Sequence, residues 1–375
     1  MASCEQAKIM EGLLSEIDYN EQDFIQTSII SEYDREFSTL APLDHNAGGP
    51  IEFLVRGADF LYLDLNNSKL HITVRITKPD GAVLNGNNSA VGPVNLFFHA
   101  LFSSMDVELG GKLITEPSNL YPYRPMLSYL SSFDDSILCT RLRSEGWVRD
   151  LPGETGAVDP AGANTGLVNR TASFANSAVR TFIGRPCLDI FNQEKLIPSN
   201  CDLKLRLIPN KPSFCLIAAD DTHRFRYEIL SARLMIRTKV IAPNEIARLE
   251  KFLLHNNWHF KFKSVSMKSV TIPANVRSHQ IDNAYMGVLP SRIIVALVPD
   301  AALSGAYGTN PFHFGHYHLE YIRLDVNGES FPRVPFTPNF DEGHYLREYI
   351  DGCLAGLGMD VGDKCISLSP SDWAQ

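Results

Sequence analysis

His313, His316 and His318 form an H-x-x-H-x-H run. Alternate residues of a strand point to one face, so two of these imidazoles could sit together as zinc requires. No Cys or acidic residue stands at metal-ligand spacing beside them. The expectation is therefore no metal and no cofactor, with this run as the one candidate. The acidic pairs Asp134-Asp135 and Asp220-Asp221 have the residue types of cation ligands or of an acid and base. Neither has a His or basic residue fixed next to it, and both read as solvated loop charges. Gly110-Gly111-Lys112 lacks the earlier Gly and the following Ser or Thr of a phosphate loop, and reads as a hairpin turn. His255 and His259 flank Trp258 near a predicted helix end, where an imidazolium suits the dipole. The seven cysteines are scattered, form no C-x-x-C and read as reduced thiols; no G-x-S-x-G or H-E-x-x-H occurs. Nothing in the chain reads as an enzyme.

The aromatic residues are distributed in a way that suits assembly. Tyr121, Tyr123 and Tyr129 lie near Arg124, and Tyr345 and Tyr349 near Arg347, each group following a hairpin signal. Tyr and Arg anchor interfaces because they give large contact area at small entropic cost. The same residues could instead plug the ends of their own β-sandwich, and the sequence leaves both readings open.

Strands joined by turns must position these groups. From Gly48 onward, short apolar runs are cut by Gly, Pro and Asn, and predict strands at 51–55, 60–65, 70–77, 105–109, 179–183, 201–208 and 228–240. Later strands are expected at 260–272, 292–298 and 317–326. Helices are expected at 120–132, at 243–256 behind Pro243, and at 343–357. Residues 150–177, rich in Gly, Ala, Asn and Thr, read as a long surface loop. The resulting divisions are an N-terminal arm at 1–46, a first β-domain at 47–242, a connecting helix at 243–258 and a second β-domain at 259–375.

The two halves repeat an order of elements. Pro93 is followed by Phe97, Phe98 and His99 and then the Gly110-Gly111 turn; Pro311 is followed by Phe312, Phe314 and Tyr317 and then the Asn327-Gly328 turn. Both turns supply the positive φ of a two-residue hairpin. A strand-rich unit occurring twice predicts an all-β chain of two consecutive jelly rolls with a few short helices. By this count the second jelly roll lacks strands after 357, so it is expected to be C-terminally incomplete.

Several words of the sequence resemble the double jelly-roll major capsid proteins of Polinton (Maverick) elements and adintoviruses. They are Gln26-Thr27-Ser28-Ile29, Gly49-Pro50-Ile51-Glu52-Phe53, Pro93 through Ser103, Tyr121-Pro122-Tyr123-Arg124, Asp189-Ile190-Phe191-Asn192-Gln193, Asn310-Pro311-Phe312 and Leu346-Arg347-Glu348-Tyr349. The resemblance implies a homotrimer of pseudo-hexagonal outline tiling an icosahedral shell, with a minor capsid or penton protein as a further partner. It implies a place in the virion, or inside the host cell for a genome-resident copy. A formal net charge of -9 argues against direct nucleic-acid binding, and no apolar run reaches the length of a membrane span. No secretory leader is recognisable. Two other functions remain open: a jelly-roll module that binds a ligand or carbohydrate, and a two-jelly-roll hydrolase using Asp220, Asp221 and Glu228 near the domain junction.

Overall fold

The structure is a computed structural model that describes residues 26–43, 48–57, 61–84, 91–198, 201–219, 224–256, 259–260, 262–285, 287–359 and 366–374. The chain is mostly β-sheet with a few short helices. Its strands in order are β1 (Ile29–Ser38), β2 (Ile51–Val55), β3 (Leu61–Thr77), β4 (Val91–Pro93), β5 (Phe102–Leu109), β6 (Lys112–Leu113), β7 (Arg180–Gly184), β8 (Ile197–Pro198), β9 (Leu203–Pro209), β10 (Leu216–Ala218), β11 (Arg226–Ile241), β12 (Ile322–Val326) and β13 (Glu329–Phe336). The helices are α1 (Phe97–Ala100), α2 (Tyr123–Leu130), α3 (Asp135–Cys139), α4 (Thr165–Ser173), α5 (Pro212–Cys215), α6 (Pro243–Leu253), α7 (Asp300–Ser304), α8 (Ala355–Leu357) and α9 (Pro370–Trp373).

Two antiparallel sheets carry the first half. One runs β1-β11-β3-β7, with β8 also on β3, and the other runs β2-β9-β5-β6. The main strands pair from the outside inwards: β1 with β11, β2 with β9, β3 with β7, and β5 with β6. The chain is thus one long hairpin, folded back on itself and then rolled so that β3 meets β11 and β5 meets β9. That order is a jelly roll.

Period-two patterning explains why the sheets face each other. Ile51, Phe53 and Val55 of β2 and Leu203, Leu205 and Leu207 of β9 are buried at alternate positions. Leu70, Ile72, Val74 and Ile76 of β3, with Leu234 and Ile236 of β11, present the opposing apolar rows. Gly110 and Gly111 both take positive φ, 57° and 77°, as the β5–β6 turn requires.

In the first half the structure corrects three sequence expectations. The arm drawn as 1–46 contains β1, which pairs with β11 along its whole length. Its register is carried by charge rather than apolar patterning: Arg237 bonds Asp34 at 2.5 Å, and Arg233 faces Glu36 at 3.3 Å. The strands expected at 60–65 and 70–77 are one strand, β3. Asn66, Asn67 and Ser68, between the two expected strands, lie beside a register shift, where Asn67 N–H and Nδ2 donate to Asp64 and Ser68 Oγ donates to the Asp64 carbonyl. The loop at 150–177 contains α4, capped by Asn164, with Leu167 and Arg170 buried.

After α6, the described residues form one ladder, the β12–β13 hairpin. Its turn uses Asn327 and Gly328 at φ 51° and 88°, and a helix with Tyr349 follows at Glu348–Leu354, with π hydrogen bonding. Hairpin and helix stand in the order that the repeat predicts. The segments 260–272 and 292–298 have no ladder partner among the described residues, so the strands expected there are not formed. Val265, Val270, Ile272, Ile294 and Val295 are correspondingly exposed.

Two outcomes follow. Ile72→Ala leaves a cavity between closed sheets and is expected to cost about 2–5 kcal/mol in chemical denaturation. Asp64 is the second test. Burial pushes its carboxyl up, but hydrogen bonds from Asn67 and Lys239 outweigh that and hold it below the usual range. Its contribution is therefore present above the unfolded-state value of about 3.9 and lost as pH falls through the folded value. Asp64→Asn is expected to lower Tm near neutrality, with the gap from the parent closing below about pH 4.

Candidate assembly site around the tyrosine clusters

The word from Pro93 to Phe102 builds the inner end of the first jelly roll. Leu96 is held in the left-handed region at φ 47°, and Asn95 holds it there. The Asn95 Oδ1 accepts from Leu96 N–H and Val148 N–H, both at 3.0 Å, while its Nδ2 donates to the Val148 carbonyl at 2.8 Å. This turn starts α1 and buries Phe97, Phe98 and His99 completely or nearly so. Phe97 meets Phe174 and Phe182 edge-on at 5.6 and 5.7 Å.

His99 sits at the centre of a polar knot. Its Nδ1 lies 2.9 Å from Tyr121 Oη, and its Nε2 lies 2.9 Å from Glu145 Oε2 and 3.2 Å from Tyr129 Oη. Cys187 N–H donates to Tyr121 Oη at 3.2 Å. Burial pushes the phenols of Tyr121 and Tyr129 well up and raises the Cys187 thiol, so all three stay protonated. Glu145 is almost fully buried and meets His99 Nε2 there, the kind of polar partner that a carboxylate in the core requires.

Tyr121, Tyr123 and Tyr129 thus turn inwards, and the first tyrosine group plugs its own sandwich. Tyr123 packs edge-on against Phe214 and Phe312, each at 5.8 Å, and those two rings meet each other edge-on at 5.9 Å. Arg124 is largely buried and bonds Asp189. These four side chains are spent inside the protomer, as in the internal-plug alternative of the two that the sequence leaves open. Tyr349 is also buried, its Oη donating to the Leu368 carbonyl at 2.8 Å. Tyr345 is half-buried and stacks on Phe340, with Trp373 of α9 beside both. Arg347 is exposed, lies 5.4 Å from the Phe336 ring centre and donates to the carbonyls of Pro335 and Val334.

His316 and His318 lie together, their ring centres 4.9 Å apart with His318 N–H donating to His316 Nδ1, while His313 makes its contacts elsewhere. His313 Nδ1 pairs with Thr155 Oγ1 at 2.9 Å, and burial pushes its imidazole down. His316 stacks on Phe340 at 4.3 Å, and His318 faces Asp341 at 2.9 Å. Among the described residues no group of three or more His, Cys, Asp or Glu could hold a metal ion. The members of the candidate run make the local contacts just described. Asp134 caps α3 by accepting from Ile137 N–H, and Asp135 pairs with Arg149 at 2.9 Å. Glu228 accepts from Arg75 at 2.7 Å, and Asp220 and Asp221 lie outside the described residues.

Sequence reasoning missed His99, Glu145 and Asn95. A signal for the first was present: a single His inside Phe97-Phe98-His99-Ala100-Leu101-Phe102 must be buried, and a buried imidazole needs partners on both nitrogens.

No family model matches this chain. An uncharacterized protein of Caenorhabditis elegans is 22% identical over 314 residues, covering 81% of this chain and 72% of that protein. Among solved structures, the chain is similar to one of the Sputnik virophage, with a TM-score of 0.43 and 8% identity over 64% of this chain and 54% of that one. The mavirus major capsid protein gives 0.37 and 16% over 66% and 54%. The Faustovirus major capsid protein gives 0.41 and 10% over 65% and 59%. The chain spans a little over half the length of these solved chains. The jelly roll itself is defined by the strand pairing described above.

Because Asn95 holds both the left-handed turn and the Val148 strap, Asn95→Ala is expected to cost on the order of 2–4 kcal/mol. Tyr123→Ala is expected to cost about 3–5 kcal/mol while leaving the oligomeric state of the folded fraction unchanged. Denaturation with light scattering reads both. A change in assembly without a loss of stability would return Tyr123 to the surface.

Proposed function

We propose that this chain is a capsid subunit that packs against copies of itself, as a homotrimer within a shell of the Polinton and adintovirus type. The observation that carries the reading is the second half's uncovered apolar surface. Val288 is 94% exposed and Leu289 68%, and Val270, Ile272, Val295, Phe331 and Val334 are also open. A soluble chain rarely leaves so many large apolar side chains in water unless another surface covers them. The first jelly roll supports the reading as a rigid scaffold, and the resembling words 93–103 and 121–124 fall in its packed interior, where they maintain the fold that an assembly needs.

Partners of other kinds fit less well. A carbohydrate-binding module needs an aromatic platform beside acidic or amide groups in one loop cluster. Here the clustered first-half tyrosines are buried, and Glu228, the described acidic residue of the hydrolase idea, is engaged in an ion pair with Arg75. A penton-type partner and a place in the virion belong to the same proposal.

Light scattering on the purified chain, followed by negative-stain imaging, tests it. Three times the monomer mass with particles of hexagonal outline is the expected result. A dispersed monomer, whether or not it binds a glycan array, would sink the proposal. Replacing Val288, Leu289 and Val295 together by Ser is expected to shift the assembly towards monomer without unfolding the first jelly roll.

A further inference from the structure

Burial is uneven along the second half as the sequence divides it. From 262 to 296 the described side chains are exposed, apart from a few partly buried ones such as Met267. From 299 to 314 the pattern reverses. Ala302, Tyr307, Asn310 and Phe312 are buried, and Tyr307 and Phe312 belong to the same apolar core as Ile72 and Phe97 of the first jelly roll. Leu303 and Phe314 pack against that core as well.

The contacts of this stretch follow one end of the first jelly roll. α7 packs on α5, and the chain turns at Gly305, where a Cβ would stand 3.2 Å from Phe214. Ala218 N–H, at the end of β10, donates to the Tyr307 carbonyl at 2.9 Å, and Tyr307 Oη donates to the Phe225 carbonyl at 2.6 Å. Tyr307 thereby bonds both ends of the connection from β10 to β11. Asn310 uses both atoms of its amide: Nδ2 donates to the Thr155 carbonyl at 2.7 Å, and Oδ1 accepts from Phe312 N–H at 3.0 Å. The Phe312 ring then lies edge-on to Tyr123 of α2 and Phe214 of α5. His313 Nδ1 meets Thr155 Oγ1 at 2.9 Å, and a Cβ added at the neighbouring Gly156 would stand 3.2 Å from that imidazole.

Detaching 299–314 would expose Tyr307 and Phe312 to water and give up the bonds to the Phe225 and Thr155 carbonyls together. Burial of large apolar side chains with satisfied polar groups is what holds a protein interior, so this stretch is bound as core is bound. The chain that leads to it offers nothing comparable, since 260–272 and 292–298 have no ladder partner among the described residues.

We propose that residues 299–314 are a clasp belonging to the first jelly roll: they close its end at α2 and α5 and hold the second half there without help from the connecting chain 259–298. The clasp lies within one protomer and stands whether or not that protomer assembles. A second contact between the halves is separate from it, with Ser367 N–H donating to the Phe133 carbonyl at 3.1 Å and Arg149 meeting Asp372 at 3.3 Å.

The full chain carrying a site-specific protease sequence inserted after the exposed Arg277 tests this, because exposed connecting chain accepts insertion and cleavage. After cutting, native mass spectrometry over a dilution series reads which pieces stay together and in how many copies. One-to-one retention of the 278–375 piece on the 1–277 piece is the expected result. Tyr307→Ala combined with Phe312→Ala is expected to release the 278–375 piece although the contacts of Ser367 and Asp372 are untouched. Asn310→Ala, which removes one buried hydrogen bond, is expected to weaken retention about tenfold. Release from the cut parent would overturn the proposal, and so would full retention in the double variant. If the double variant does not fold, Asn310→Ala decides, and undiminished retention there sinks the clasp. Copy number reports on assembly separately: one-to-one retention in a monomer upholds the clasp and counts against the homotrimer.

Discussion

The pairing of β3 with β11 is the constraint on which the first half depends. Each is long enough to serve two neighbours, so β3 also carries β7 and β8 while β11 also carries β1. Without this ladder the outer-to-inner hairpin would remain a flat ribbon with one apolar face in water. With it, the ribbon closes on itself and both sheets bury their inner faces. The register shifts at Ile229/Ser231 and Met235/Arg237 belong to the same closure, since bulges let long strands twist and coil around a core.

Much of this closure was legible in the residues. Alternating apolar positions located β2, β9 and the second part of β3, and the Gly110-Gly111 and Asn327-Gly328 turns were read from the positive φ they require. What escaped was whatever rests on polar pairing. β1 offers Glu32, Asp34 and Glu36 where an apolar pattern would be sought, and its partner residues lie some 200 positions away, as the Arg237–Asp34 bond with a separation of 203 shows. The Asp64–Ser68 bulge looks like a turn because the same side-chain-to-backbone bonds stabilise both. Helix α4 was hidden by its composition, since its burial depends on Arg170 reaching Asp150 at 2.8 Å.

The tyrosine groups show how far residue type alone can point. Tyr and Arg near one another fit an interface and fit an internal plug, and only three-dimensional context separates these. For Tyr121 and Tyr129 the deciding partner is His99, one residue in an otherwise apolar word. For Arg124 it is Asp189, 65 residues on. In the second half the same residue types sit differently: Arg347 lies over Phe336 in the open, and Tyr345 leaves part of its ring uncovered. The duplicated order of elements therefore does not carry a duplicated use of its side chains.

The ion-paired seam between β1 and β11 bears on how the chain is made. β1 leaves the ribosome long before the strand it pairs with. At about 5–20 residues per second, the separation of 203 positions between Asp34 and Arg237 is a wait of roughly 10–40 s. During that time β1 is an unpartnered strand. A run of Val and Ile would then invite pairing with a neighbouring nascent chain, whereas Glu32, Asp34 and Glu36 keep it hydrated and mutually repelling. The carboxylates that later meet Arg233, Arg237 and Lys239 thus protect the strand first and lock it afterwards.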